Sequence, residues 1–290
     1  GNKKDVEDTN TIITNQNKDT ASSHTVTIEA KDKDDKVEVT LKDVNIDTSS
    51  RNKAAVSVTG EGDTNIKLDG DNALKSDIYR SGIYGSGSGS LTISGGENDS
   101  LTAQGGSGAN GISSSGSLTI SGGTVTANGD DGGRGISSSG SVTISGGSTV
   151  TANGGSGTIS GGDGICSSGG VTISGGSTVT ANGGNGGSLV GGDGIRSDGG
   201  VTISGGTVKA AGGDSKDGYG GDGIRSGGGV TISGNTVNAA GGNGGKVGGY
   251  GICSFDRVAI SGGTVKAAGG NGSTGCGRGI YSSVIDLSGS

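Results

Sequence analysis

Residues 171–200 read VTISGGSTVTANGGNGGSLVGGDGIRSDGG, and at Val201 the text starts again with VTISGG. Within this unit three short pieces alternate apolar and polar residues: Val171-Thr172-Ile173, Thr178-Val179-Thr180-Ala181 and Gly194-Ile195-Arg196. Alternation with period two is the mark of a strand with one buried face. Glycine, serine and asparagine between the pieces supply turn chemistry. A helical reading fails, because glycine costs about 1 kcal/mol relative to alanine inside a helix and Val, Ile and Thr favour strands.

The unit recurs outward in both directions. LTISGG begins at Leu91 and Leu118, VTISGG at Val142, Val171 and Val201, VTISGN at Val230 and VAISGG at Val258, with a degraded IDLSGS at Ile285. The spacings are 27, 24, 29, 30, 29, 28 and 27 residues. Self-similarity at such a period signals a repeat architecture. Three strands per repeat, stacked in register about 4.8 Å apart, predict an all-β, single-stranded parallel β-helix solenoid of about eight coils with 24–30 residues per coil. Predicted inward ranks are Leu91 to Val258 with Ile93 to Ile260 on one wall, Val125 to Val265 on a second, and Ile83 to Ile280 on a third. Coils that share a column need few apolar residues each, which reconciles an apolar content of only 27% with a folded chain of 290 residues.

Composition bounds function. The 71 glycines would suggest low complexity if they had no period. A net charge of −7 argues against nucleic acid and against anionic lipid, both of which require clustered cations. No run reaches the roughly 18 apolar residues of a membrane helix. No signal peptide is visible, and a chain that begins at Gly1 without any methionine reads as a processed or trimmed piece. Cys166, Cys253 and Cys276 show no metal-ligand spacing, so free thiols are expected. Residues 1–24 are expected to be flexible, 25–80 to form irregular, charged capping coils, and 81–290 to form the regular glycine-rich repeats.

The early coils carry a family resemblance. VTLKDVNID (39–47), AAVSVTG (54–60), NIKLDGDNAL (65–74), SLTISGG (90–96) and GISSSGSLTISGGTVTANG (111–129) follow one another in an order that resembles the carbohydrate-binding, polysaccharide-lyase-like parallel β-helix proteins of Firmicutes. The resemblance covers about residues 25–290. It implies a right-handed coil, a secreted or cell-surface setting on a Gram-positive bacterium, binding to acidic or plant cell-wall polysaccharide, and bound calcium. The chain departs from the family in its glycine content and in its few aromatic residues, the side chains on which sugars stack.

Candidate site residues follow from the repeat. Asp163, Asp193 and Asp222 each precede Gly-Ile in three successive coils. Stacked carboxylates repel unless neutralised, either by calcium, a hard cation that takes oxygen ligands, or by Arg196 and Arg225 three residues on. Asp69 and Asp71 form a second acidic patch, with turn chemistry and calcium as its two readings. Arg196 and Arg225 share an outward rank and could grip a uronic acid through paired hydrogen bonds. The connection between second and third strands grows from 7 residues in early coils to 11 or 12 in later ones and carries Tyr219, Lys246 and Tyr250. Insertions on one edge often mark the binding face of a repeat protein. Outward threonines of the second strand raise an ice-binding alternative. His24 is the single histidine, so Ser-His and Cys-His chemistry has no base outside the flexible start. These features predict a non-catalytic polysaccharide-binding β-helix, calcium-assisted, with a structural stalk, fibre or adhesin segment capable of end-to-end or lateral self-association as the alternative. A lyase ranks below both.

Overall fold

The computed structural model describes residues 11–287. Thirty strands and no helix form three parallel sheets among these residues, with eleven, nine and ten strands. Each chain segment visits the third, first and second walls in turn, and each strand pairs with its equivalent one coil away, which defines a parallel β-helix of about ten turns. The two turns beyond the expected eight come from the charged opening region. Val26–Ala30, Lys36–Lys42, Asn45–Asp47, Val56–Gly60, Asp63–Asp69 and Asp71–Lys75 already lie in the three sheets. Of the segment expected to be flexible, residues 1–10 lie outside the described residues, whereas Thr11–Thr14 pairs with residues 39–42. Asn15 Nδ2 then donates to the Asn45 carbonyl at 2.7 Å, holding the entry against the first coil.

Register follows the repeat residue by residue. Val171 sits between Val142 and Val201, and Ile173 between Ile144 and Ile203. Val179 lies between Val150 and Val208, and Ile195 between Ile165 and Ile224. All of these are buried and belong to one continuous core. Each fully buried Val or Ile contributes roughly 1.5–3 kcal/mol. Thr92, Thr119, Thr143, Thr172, Thr202 and Thr231 form an outward file on the first wall.

The corners are closed by two devices. At the corner after the third wall a buried serine donates to a glycine carbonyl of the preceding coil: Ser167 to Gly140 at 2.8 Å, Ser197 to Gly169 at 2.7 Å and Ser226 to Gly199 at 2.9 Å. At the corner between first and second walls the chain turns through Gly175 and Gly176, with φ of 64° and 73°, a region that favours glycine. The expected amide ladder is present, with Asn153 Nδ2 donating to Asn128 Oδ1 and Asn182 Nδ2 to Asn153 Oδ1, both at 2.8 Å.

The lengthened connections are not free loops. In the coil that begins at Val171, the chain leaves the second wall through Gly183 and Gly184, turns, and returns through Gly191 and Gly192. The Gly192 N–H donates to the Gly184 carbonyl at 2.8 Å and closes a narrow neck. The same closure joins Gly162 to Gly155, Gly221 to Gly213, Gly249 to Gly242 and Gly277 to Gly270. Parallel bridges then stack the projecting parts, through Gly157, Gly186, Ser215, Gly244 and Gly272 and through Ser160, Val190, Tyr219, Val247 and Gly275. The result is a ridge of stacked lobes running along the solenoid beside the third wall.

Candidate functional site

The ridge and the third wall enclose a groove with a volume of about 760 Å³. Its floor is the file of residues that precede Gly-Ile in each coil, all but the last of which line the groove. That file reads Asn110, Arg134, Asp163, Asp193, Asp222, Tyr250 and Arg278. Here the sheet is interrupted, and each carboxylate or amide accepts the N–H of the residue stacked on it. Asn110 Oδ1 accepts from Arg134 at 2.8 Å, Asp163 Oδ1 from Asp193 at 2.9 Å, Asp193 Oδ1 from Asp222 at 2.7 Å and Asp222 Oδ1 from Tyr250 at 2.7 Å. The aspartates are therefore in the sequence first as acceptors that complete the coil-to-coil hydrogen bonding of buried backbone.

Their second oxygens differ. Asp163 Oδ2 receives Arg134 Nε at 3.2 Å, and Asp222 Oδ2 faces an Arg225 guanidinium nitrogen at 3.4 Å. Asp193, between them, has no ion pair among the described residues, and of its two oxygens Oδ1 is the one hydrogen-bonded there. Burial, followed by the charges of Asp163 and Asp222, pushes its carboxyl up to about 8. Burial also raises Asp222. Burial works against the charge of Arg196, but Asp163 and Asp193 outweigh it and raise the guanidinium further. Burial pushes the Cys166 and Cys253 thiols, beside this row, up to about 11, and all three cysteines are free.

Arg196 and Arg225 stand in register on neighbouring strands of the third wall and both line the groove. Arg225 also lies 5.2 Å from the centre of the Phe255 ring, a cation–π distance. On the ridge side Val190, Tyr219 and Val247 form the opposite bank. Tyr250 stacks on Tyr281 at 5.0 Å, and Arg278 lies 5.7 Å over Tyr281. At the other end a smaller hollow of about 250 Å³ shares Gly108 and Asn110 with the groove and is lined by Tyr79, Arg80 and Tyr84. All six aromatic residues of the chain thus lie on this one flank. Tyr79 is 77%, Phe255 58% and Tyr219 51% exposed.

Of the sequence candidates, Asp163, Asp193, Asp222, Arg196, Arg225, Tyr219 and Tyr250 are brought together in the groove. Lys246 sits on the ridge but does not line it. Asp69 and Asp71 are elsewhere, at the corner between first and second walls. Asp69 pairs with Lys42 at 2.9 Å and Asp71 Oδ1 accepts from Ser100 Oγ at 2.7 Å. Among the described residues no group of three or more His, Cys, Asp or Glu side chains is placed to hold a metal ion. Sequence reasoning missed Asn110, Arg134 and Arg278, although the signal was available. Each occupies the place of the aspartate before Gly-Ile, as NGI at 110–112 and RGI at 134–136 and 278–280.

The protein is, by architecture, a parallel β-helix with a built groove along one flank. In agreement, the family described as Beta helix repeat matches residues 118–141, 201–224 and 258–278. Each matched stretch begins at or beside a first-wall strand and runs through the second wall. No curated protein and no solved structure matches the chain.

Proposed function

We propose that the flank groove binds a polysaccharide chain lying along the solenoid axis, as a non-catalytic module in a secreted or cell-surface setting. The observation that carries this reading is the alignment of Arg196 and Arg225 in register inside a groove whose ends are furnished with exposed aromatic rings. Successive side chains in the file stand about 4.8 Å apart, comparable to the repeat of one sugar in an extended chain. Aromatic faces stack on the apolar faces of sugars, and guanidinium forks match carboxylates bidentately. Together they favour a uronic-acid polymer.

Calcium is not needed for this reading. A cation at the Asp163–Asp193–Asp222 row would compete with backbone N–H groups and guanidinium groups for the same oxygens.

Titration calorimetry with oligogalacturonate and with a neutral cello-oligosaccharide, each with and without chelator, tests the proposal. Binding of the acidic oligomer that survives chelation and falls at least tenfold in an Arg196→Ala/Arg225→Ala variant is expected. Binding of neither oligomer would leave a rigid structural spacer as the better account. Loss on chelation alone would restore a calcium-bridged site.

A further inference from the structure

Asp193 is the one member of the buried carboxylate row without a cationic partner. Its Oδ1 is committed to the Asp222 N–H, and its other oxygen has no hydrogen-bond partner among the described residues. The residue is 7% exposed, yet it lines the groove. The groups around it are Asp163 and Cys166 from the preceding coil, Asp222 and Arg225 from the following one, and Arg134 and Cys253 one coil further on either side. Arg196 flanks it on its own coil, and Tyr219 faces it from the ridge. Both neighbouring carboxylates already hold an arginine. A third negative charge between them would be buried with only the more distant pull of arginines to offset it, and burial with the two neighbouring carboxylates outweighs that pull. Arg196, three residues on, lines the groove and has no hydrogen-bonded side-chain partner among the described residues.

We infer that Asp193 acts as a neutral carboxylic acid that donates a hydrogen bond to the carboxylate of an anionic saccharide held by Arg196 and Arg225, so that the groove takes up its ligand together with one proton. This rests on the groove being the saccharide site and specifies how that site discriminates. Ionised Asp193 would face the ligand carboxylate as a like charge with no proton to share. The O–H stays on Asp193, its hydrogen pointing to the ligand oxygen, and no bond is broken.

Burial moves Cys166 and Cys253 to about 11, and a uronate carboxylate is ionised well below pH 6. Burial and the charges of Asp163 and Asp222 push the Asp193 carboxyl up to about 8, and burial raises Asp222 in the same direction, so a variant at Asp193 is what assigns the transition.

The test is the affinity for oligogalacturonate across pH 6 to 9.5, for the full chain and for Asp193→Asn. The amide preserves shape, still accepts the Asp222 N–H and still offers a donor, but does not titrate. Wild-type affinity is expected to be flat below pH 7 and to fall about tenfold per pH unit above 8. Whatever its affinity at pH 6.5, the variant is expected to show a flat profile. A wild-type profile that is flat throughout overturns the inference while leaving the saccharide site standing, as does an identical decline in Asp193→Asn. No binding at pH 6.5 by a folded wild type overturns the saccharide reading itself, and the inference with it.

Discussion

Replacing Gly192 with alanine tests whether the ridge is a packed structure or a decorated loop. A Cβ at Gly192 would lie 1.9 Å from the Gly162 carbonyl oxygen and 2.4 Å from its carbon, both backbone atoms of the coil below. To reach even a 3.0 Å contact, that carbonyl must move by about 1.1 Å. The same oxygen accepts the Gly184 N–H at 2.8 Å, and Gly192 itself donates to Gly184. The displacement therefore breaks one coil-to-coil bond at a neck where no side chain can take its place. An unsatisfied buried backbone group costs about 1–3 kcal/mol, and overpacking a close-packed site costs a similar amount. A loss of roughly 2–5 kcal/mol follows. Because each repeat contacts only its neighbours, the damage should centre on the lobes at 154–162, 183–192 and 212–221. Denaturant unfolding gives the magnitude, and amide hydrogen exchange at Gly184, Gly192 and Gly213 gives the place. Gly275→Ala in the last described lobe is the control. Its Cβ would meet only the Val247 methyl groups at 3.6 Å, an ordinary contact, so its effect should stay within about 0.5 kcal/mol. If Gly192→Ala were as stable as Gly275→Ala, with unchanged exchange, the packed-ridge account would be wrong.

Three further outcomes follow from the column and the file. Ile173→Ala removes a fully buried side chain held in register between Ile144 and Ile203. It should cost about 2–5 kcal/mol by denaturant unfolding, and a cost below about 1 kcal/mol would contradict a close-packed column. Asn153→Ala deletes both amide bonds of the ladder, to Asn128 and from Asn182. Water reaches these half-buried groups, so the loss should be only about 1 kcal/mol, measured against Ile173→Ala in the same assay. Finally, stability should decline with rising pH. Folded Asp193 keeps its proton to about 8 while the unfolded carboxyl loses it near 3.9, so the folded state binds more protons across that window. Stability then falls as pH rises from about 4 toward 8 and levels off above. Raised Asp222 adds to the decline in the same direction. Asp63 and Asp99 act oppositely. The Ser90 side-chain hydroxyl, followed by the Ser90 N–H, lowers Asp63, and backbone N–H groups of Gly96 and Gly70 lower Asp99. Their contribution is lost only as pH drops below about 4. Asp193→Asn should flatten the upper limb of the unfolding-midpoint profile, and parallel profiles for the two proteins would refute the assignment.

The three walls were legible because each strand states its buried face in two or three residues. Val171 and Ile173 point in and Thr172 points out, and that alternation survives translation to every other coil. The opening coils were partly legible. VEVTLKDVNID alternates well enough to be read as coil, but Thr11–Thr14 carries no repeat signature and is placed by pairing with residues 39–42. The ridge was not legible. Its lobes contain few apolar residues to set a period, and their order resides in backbone contacts between glycines, which sequence displays only as the absence of side chains. GGNGGSLVGG reads as a flexible connection until Gly184 and Gly192 are seen to close a neck too narrow for any Cβ.

The same fact explains why the site was half read. Sequence gave the aspartates as a charge ladder that needed a counter-ion, which pointed to calcium or arginine. The fold supplies a third solution, because the sheet gap beside the ridge leaves backbone N–H groups that need acceptors. In four coils a side chain supplies that acceptor, and Asn110 does so as readily as Asp163. What distinguishes the aspartates is then charge alone. Two of them carry an arginine and the middle one does not. A purely structural role would be served by asparagine in all three coils, as the amide ladder of Asn128, Asn153 and Asn182 serves the neighbouring corner. Carboxyl groups in place of amides, set under two aligned arginines in the groove, are what separates a site from a seam.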